Sequence, residues 1–215
     1  MRCIDLTQTM TDGMPVFPGD PVPRLRPVAD LAADGFSDHE LRTGMHAGTH
    51  IDAPAHMLAG GAGIANMPVE VFFGRGRLID ARGQPIAGPE LLAGVEIAPG
   101  DIALVLTGFS DRFGQPAYYR DYPEISEAFA EALIQRGVRL LGLDTPSPDR
   151  PPFRVHKLLL ANSVLIIENL TNLAALLGAA HFDVAALPLK LDAGAAPARV
   201  MGIIRTQGEG HGADS

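Results

Sequence analysis

Residues 45–56 read MHAGTHIDAPAH and place His46, His50, Asp52 and His56 in one short stretch of a chain with only 7 histidines. On an α-helix His46 and His50 would share a face, but Asp52 would fall off it. No Glu follows the first His, as a helical HExxH metal motif requires. In an extended chain positions 46, 50, 52 and 56 all point one way, and Thr49 and Ile51 point the other. A straight strand would still spread these groups over roughly 33 Å, far beyond the reach of a common partner. The segment must therefore curl. Gly48 permits the unusual dihedrals that a bend needs, and Pro54 interrupts regular strand pairing before His56. The spacing predicts a bent strand end or loop that turns its imidazoles inward.

Histidines of this kind can be solvated or hydrogen-bonded surface groups, and an isolated His-x3-His is usually that. Four ligands or proton carriers on one face would repel or stay unsatisfied in an apolar core, whereas a divalent cation would organise them. The stretch VHKLLLANSVLIIEN offers two further donors, His156 and Glu168. A helix starting near His156 and a strand ending near Glu168, joined by a turn at Asn162-Ser163, would bring those ends together. A Glu closing an apolar strand also needs a partner if buried.

The first hundred residues are punctuated by Pro and Gly, so short strands and structured loops are expected there rather than long helices. RGRLIDA (75–81) and DIALVLTG (101–108) read as strands, with GPELLAG between them as a short helix. PEISEAFAEALIQRG carries the apolar stripe Ile125, Phe129 and Leu133 and closes on Arg136-Gly137, which predicts the clearest helix of the chain. VRLLGLD reads as a buried strand, HKLLLA as a short helix, and VLIIEN, VAALPLK and ARVMGII as further strands. The pattern is mixed α/β. A domain over 1–206 and a frayed polar tail over 207–215, in which His211 has no role, complete the expectation.

Other motifs carry less. TGFSDRFG lacks the last Gly of GxSxG, so Ser110 is read as a turn or pocket residue rather than a nucleophile. LAGGAG has no following GK[ST] and is read as a turn near the pocket. His39 and His181 have no matching constellation, Asp144 reads as a turn-initiating acid, and Cys3 as a small buried hydrophobe. A net charge of −8 without a Lys/Arg stripe argues against nucleic acid. No apolar run is long enough to span a bilayer, so no membrane partner is expected. One Cys and a start without signal-peptide features suggest the cytoplasm. Small-molecule chemistry is the remaining class.

The arrangement HxGTHxDxPxH, with MPVFPGD, LTGFSDRFG, LGLDTPSPD, VHKLLLANSVLIIENLTNL, ALPLK and GAAPARVMGII in order, resembles the metal-dependent cyclase family of hydrolases, which includes bacterial kynurenine formamidases and isatin hydrolases. The resemblance implies a cyclase-like swivelling β/β/α single domain with a mixed sheet, and a homodimer or higher homo-oligomer. It implies that His46 and His50 bind one metal, Asp52 bridges two, His156 holds the second and Glu168 reaches both, with one or two ions of Zn or Mn per subunit. His56 matches the family's catalytic acid/base, and Phe17 the position of an aromatic residue that touches substrate. One position departs: Lys157 stands where kynurenine formamidases commonly carry the second of paired histidines.

The expected activity is hydrolysis of a small-molecule amide by metal-activated water, with His56 taking a proton from water and returning it to the departing amine. An aryl formamide such as N-formylkynurenine, as in tryptophan catabolism, is the first substrate considered. Ring opening of a cyclic amide or lactone such as isatin is the enzymatic alternative. A metal-dependent binding protein without turnover is the alternative of another class.

Overall fold

The computed structural model describes residues 1–205; the expected tail and His211 lie outside the described residues. In chain order the elements are β1 (Arg2–Asp5), β2 (Arg24–Ala29), α1 (Leu31–Asp34), β3 (Asp38–Arg42), β4 (His50–Asp52), β5 (Phe73–Asp80), β6 (Ile86–Ala87) and β7 (Ile102–Leu106). They continue with β8 (Glu124–Ile125), α2 (Glu127–Gln135), β9 (Leu140–Leu143), α3 (Arg154–Ala161), β10 (Leu165–Glu168), β11 (Phe182–Pro188) and β12 (Ala195–Ile204). Expected helix 88–94 is a single 3₁₀ turn, Pro89–Leu92.

The main sheet runs β1-β12-β11-β5-β7-β9-β10-β4, and a further pairing of β12 with β4 closes it into a barrel with β1 outside the ring. β12 makes the closure because it is long: Ala195–Pro197 pair with β4, and Ala198–Ile204 pair with β11. Strands β5, β7, β9 and β10 are parallel, and β4, β11 and β12 run antiparallel to their neighbours. This is the mixed α/β architecture that the resemblance implied.

Strand alternation builds two cores. Ile102, Leu104, Leu106, Leu140, Leu165 and Ile167 fill the barrel with Ile51, Val184 and Val200. The intervening Ala103, Val105, Leu141, Leu143 and Ile166 face outward onto Phe129 and Leu133 of α2 and Val155, Leu159 and Leu160 of α3. Burial on both faces makes these strands read as continuous apolar runs. Each fully buried Leu or Ile contributes about 1.5–3 kcal/mol by leaving water.

Helix α2 starts at Ser126, whose hydroxyl accepts from the Phe129 N–H at 3.1 Å. Helix α3 has no side-chain cap from its preceding residue, Phe153, which sits at φ 58°. The Asp149 carboxylate takes that place by accepting from the Val155 N–H at 2.8 Å. Strands β2 and β3 form a separate two-stranded arm outside the barrel. Cys3 corrects its expectation: it is exposed on β1, while its neighbour Ile4 turns inward. Among the described residues no helix is long and apolar enough to cross a membrane.

Candidate metal centre

The centre is built where β4 meets the end of β10. Their antiparallel register sets Glu168 opposite His50 and Ile166 opposite Asp52. Because Ile51 and Ile167 point into the barrel, alternation turns His50, Asp52 and Glu168 to the side that α3 covers. The first turn of α3 delivers His156 to the same place. His46 arrives from the turn before β4, which reverses at Gly48 with φ +63°. His56 ends a 3₁₀ turn, Pro54–His56, with Pro54 in its first position.

The polar atoms converge closely. His46 Nδ1 lies 3.1 Å from Asp52 Oδ1, and His50 Nε2 lies 3.5 Å from Asp52 Oδ1 and 3.3 Å from Glu168 Oε2. His156 Nε2 lies 3.0 Å from Glu168 Oε1 and 3.7 Å from Asp52 Oδ2. Donors about 2.0–2.2 Å from one tetrahedral ion lie roughly 3.3–3.6 Å apart, so these separations suit shared ligation. His50 Nε2, both Asp52 carboxylate oxygens and Glu168 Oε1 are buried without a hydrogen-bond partner. Orphaned buried groups of this kind are costly unless something binds them, so the donor set fits a divalent cation.

The electrostatics agree. Burial is the largest influence on His50 and would lower it, but Asp52 and Glu168 outweigh burial and push its pKa up to about 9. His156 is raised in the same way, against its burial, by Asp149, Asp52 and Glu168. Burial would raise Asp52 and Glu168, yet the facing imidazoles hold both below the usual carboxylate range. The nest therefore favours positive charge. His56 goes the other way: burial lowers it, and His46 and His156 add to that against the pull of Asp52.

Two sets of side chains could each hold an ion, His50 with Asp52 and Glu168, and His46 with Asp52 and His56. His56 thus stands within ligand range as well as at the rim, its ring 4.2 Å from that of His46 and 5.9 Å from that of His156. Its position serves a ligand or a proton carrier.

The far ring nitrogens are fixed by acceptors. His50 Nδ1 donates to the Gly48 carbonyl at 2.8 Å, which leaves Nε2 free to coordinate. That carbonyl also accepts from Asn169 Nδ2 at 3.0 Å, and Asn169 Oδ1 accepts from the buried Tyr118 hydroxyl at 3.0 Å. His156 Nδ1 donates to Asp149 at 2.8 Å.

Beside these groups opens a cavity of about 180 Å³, with Phe17, Tyr119, Phe153 and Met57 on its walls and Asp20 and Ser147 as polar members. Phe17 and Tyr119 meet edge to face at 6.1 Å, and the Tyr119 hydroxyl donates to the Pro15 carbonyl at 2.9 Å. A larger cavity of about 430 Å³ lies along Thr7, Gln8 and Arg199. It has no histidine or buried acid, so the smaller one is where chemistry can occur.

The structure therefore brings together His46, His50, Asp52, His56, His156 and Glu168 and sets Phe17 on the same cavity. Sequence reasoning missed Tyr119, Phe153 and Asn169 on its walls and Asp149 and Tyr118 behind it. PAYYRDY and SPDRPPF, and the Asn that closes VLIIEN, were the signals. Lys157 turns away, its ammonium donating to the Pro152 carbonyl at 2.9 Å. Asp144 does more than start a turn: it accepts from Thr107 N–H and Oγ1 and from Gly108 N–H, pinning the loop after β7. Ser110 sits in a 3₁₀ turn after β7, and His39 and His181 are exposed. Gly61 of LAGGAG is a close-approach residue: a β-carbon there would lie 2.5 Å from the Pro54 carbonyl carbon, and one at Gly194 would lie 2.7 Å from the His56 nitrogen. The two glycines hold the His56 turn between them.

Comparison with known proteins gives a consistent result. The profile of the family described as "Putative cyclase" matches residues 4–150, a span that contains His46 to His56 and stops before His156. The chain is 35% identical to an uncharacterized protein of Methanocaldococcus jannaschii, over 95% of this chain and 100% of that one. It is 32% identical to a kynurenine formamidase of Bordetella petrii, over 93% and 97%. Isatin hydrolase A from Labrenzia aggregata, bound to benzyl benzoate, superposes with a TM-score of 0.84 at 25% identity, over 95% and 94%.

Proposed function

The chain belongs to the cyclase family of metal-dependent hydrolases, and from that premise we propose that it cleaves the carbon–nitrogen bond of a small aryl amide, an aryl formamide such as N-formylkynurenine first. The observation that carries this reading is the aromatic wall of Phe17, Tyr119 and Phe153 opening directly onto the histidine–carboxylate nest. His46, His50, Asp52, His156 and Glu168 would hold one or two ions, and their nitrogen and oxygen donors suit Zn or Mn. A divalent cation bound there supplies Lewis acidity toward an amide carbonyl and acidifies water.

The remaining steps belong to the protein. Phe17 and Tyr119 offer edge and face contacts to an aryl ring and exclude water around it. His56, at the rim, takes a proton on its ring nitrogen from the attacking water and returns it to the leaving amine nitrogen. Its burial keeps it in the neutral form that can accept that proton.

A second reading, ring opening of a cyclic amide such as isatin, is favoured by one feature. No Lys or Arg is among the described residues lining the cavity, so the amino-acid carboxylate of N-formylkynurenine has no Lys or Arg there to pair with. The subunit arrangement is read as a homodimer or higher homo-oligomer, a reading supported by the exposed Val28, Leu31, Phe36 and Leu41 of the β2–β3 arm. An isolated two-stranded hairpin is marginal in water unless covered.

Purified protein should hydrolyse at least one of N-formylkynurenine, formanilide and isatin, lose activity to a chelator and regain it with Zn²⁺ or Mn²⁺. Undiminished turnover after complete metal removal would refute the mechanism, and the ratio of kcat/KM values decides between the two substrate readings.

A further inference from the structure

Two histidines of the centre are backed differently. His50 Nδ1 meets a neutral backbone carbonyl that it shares with Asn169. His156 Nδ1 meets a carboxylate, Asp149 Oδ1, at 2.8 Å, and Asp149 is itself almost wholly buried. The other oxygen of that carboxylate accepts from the Val155 N–H, the residue before His156, at 2.8 Å. One side chain thus fixes both the backbone that carries His156 and the ring itself.

We propose that Asp149 is a positioning residue of the metal centre, which locks the His156 ring with Nε2 toward Asp52 and Glu168 and strengthens it as a ligand. This rests on the metal-centre reading above. A carboxylate can only accept, so the Nδ1 proton is committed to Asp149 and Nε2 presents its lone pair to the centre. A charged acceptor also polarises the ring more than a carbonyl does. His156 rides on a helix whose preceding residue, Phe153, is left-handed at φ 58° and provides no cap. Without Asp149 the start of α3 would have no side-chain acceptor for the Val155 N–H, and the ring could rotate about its side-chain bonds.

The test is Co²⁺ and Zn²⁺ binding to the full chain by chelator competition, with the Co²⁺ visible spectrum as a second readout. Wild type, Asp149→Asn, His156→Ala and the double variant are compared. Asp149→Asn is expected to weaken binding about 10–100-fold, the range typical of lost outer-shell support, and to shift the Co²⁺ bands. In the double variant the Asp149 change should add nothing beyond His156→Ala, because it acts through that ring. Wild-type affinity and spectrum in Asp149→Asn, or full additivity in the double variant, would overturn the inference.

Should Asp149→Asn not fold, Asp149→Glu keeps both acceptor oxygens and displaces them by one methylene. It should also weaken binding and alter the spectrum, and unchanged values would count against the proposal equally. If wild type itself binds neither ion, the metal centre fails and this inference with it. Tight wild-type binding with an indifferent Asp149 sinks only the inference.

Discussion

Tyr118→Phe removes one oxygen and little else. The Tyr118 ring is fully buried and packs against Phe109, Phe113 and Tyr119 at centroid distances of 5.5, 5.3 and 5.0 Å. Phe fits that space without a cavity. The loss is the hydroxyl, which donates to Asn169 Oδ1 at 3.0 Å. Burial pushes the Tyr118 pKa well up, so the hydroxyl stays protonated and the effect should not vary between pH 6 and 9. The variant leaves Asn169 Oδ1 buried without its donor, which costs about 1–3 kcal/mol. For a chain of 215 residues that corresponds to a fall in Tm of roughly 2–12 °C. Urea unfolding of the metal-free protein should show a lower midpoint with unchanged slope. A midpoint equal to wild type would refute the claim that this hydroxyl satisfies a buried acceptor. A second check is Tyr118→Ala, which also empties the ring's volume and should lose about 3–5 kcal/mol.

Three further outcomes follow from other sites. Burial tends to raise Asp101, but hydrogen bonds from Arg75, the Ala98 N–H and Arg77 hold it below the ordinary 3.8. Its contribution to stability is therefore complete above about pH 5 and lost progressively as pH falls through the lower folded value. Asp101→Asn should be less stable by about 1–3 kcal/mol at pH 7, with the difference closing in acid unfolding experiments below pH 3. Gly61→Ala should reduce kcat at least about tenfold, since its β-carbon would displace the backbone under His56 and small misplacements of reacting groups are expensive; full activity would contradict the close approach. His50→Ala should lower metal content, measured by atomic emission, whereas His56→Ala should retain metal and lose hydrolysis by about 10²–10⁴-fold. Loss of metal in His56→Ala would make that residue a ligand instead.

The buried strands were readable because burial on both faces leaves no polar position to interrupt them, as in IALVL of β7 and LLGL of β9. Helix α2 was readable from Phe129 and Leu133 and from Arg136-Gly137 just past its end, but Ile125, the first residue of the expected stripe, belongs to β8, because the Ser126 cap starts the helix only after it. Convergence of the histidine segment was also legible, including the bend at Gly48 and the break from strand pairing at Pro54. Only His50 and Asp52 use strand alternation; His46 and His56 reach the centre through a left-handed Gly48 and a 3₁₀ turn begun by Pro54. The supporting residues were not readable. Asp149 sits in a Pro-rich stretch that looks like an ordinary turn, and Tyr118 and Asn169 meet across 51 positions of sequence. Their pairing depends on where β10 ends relative to the loop after β7, which no local pattern encodes. Cys3 was misjudged for a related reason: a short strand gives no sign of which face turns outward.

The closure by β12 also sets an order of events. Strand β4 meets β10 and the start of β12, partners drawn from the far end of the sequence. Contacts between distant segments form late, because each closes a long loop. The parallel β5-β7-β9-β10 block, joined by shorter connections, can assemble first. His50 and Asp52 then take their places only when the barrel seam zips, so cation capture reports the finished chain rather than a folding intermediate. In refolding, binding of Co²⁺ should appear with the slowest structural phase, and a nascent chain that has not yet released β12 should leave the ion in solution.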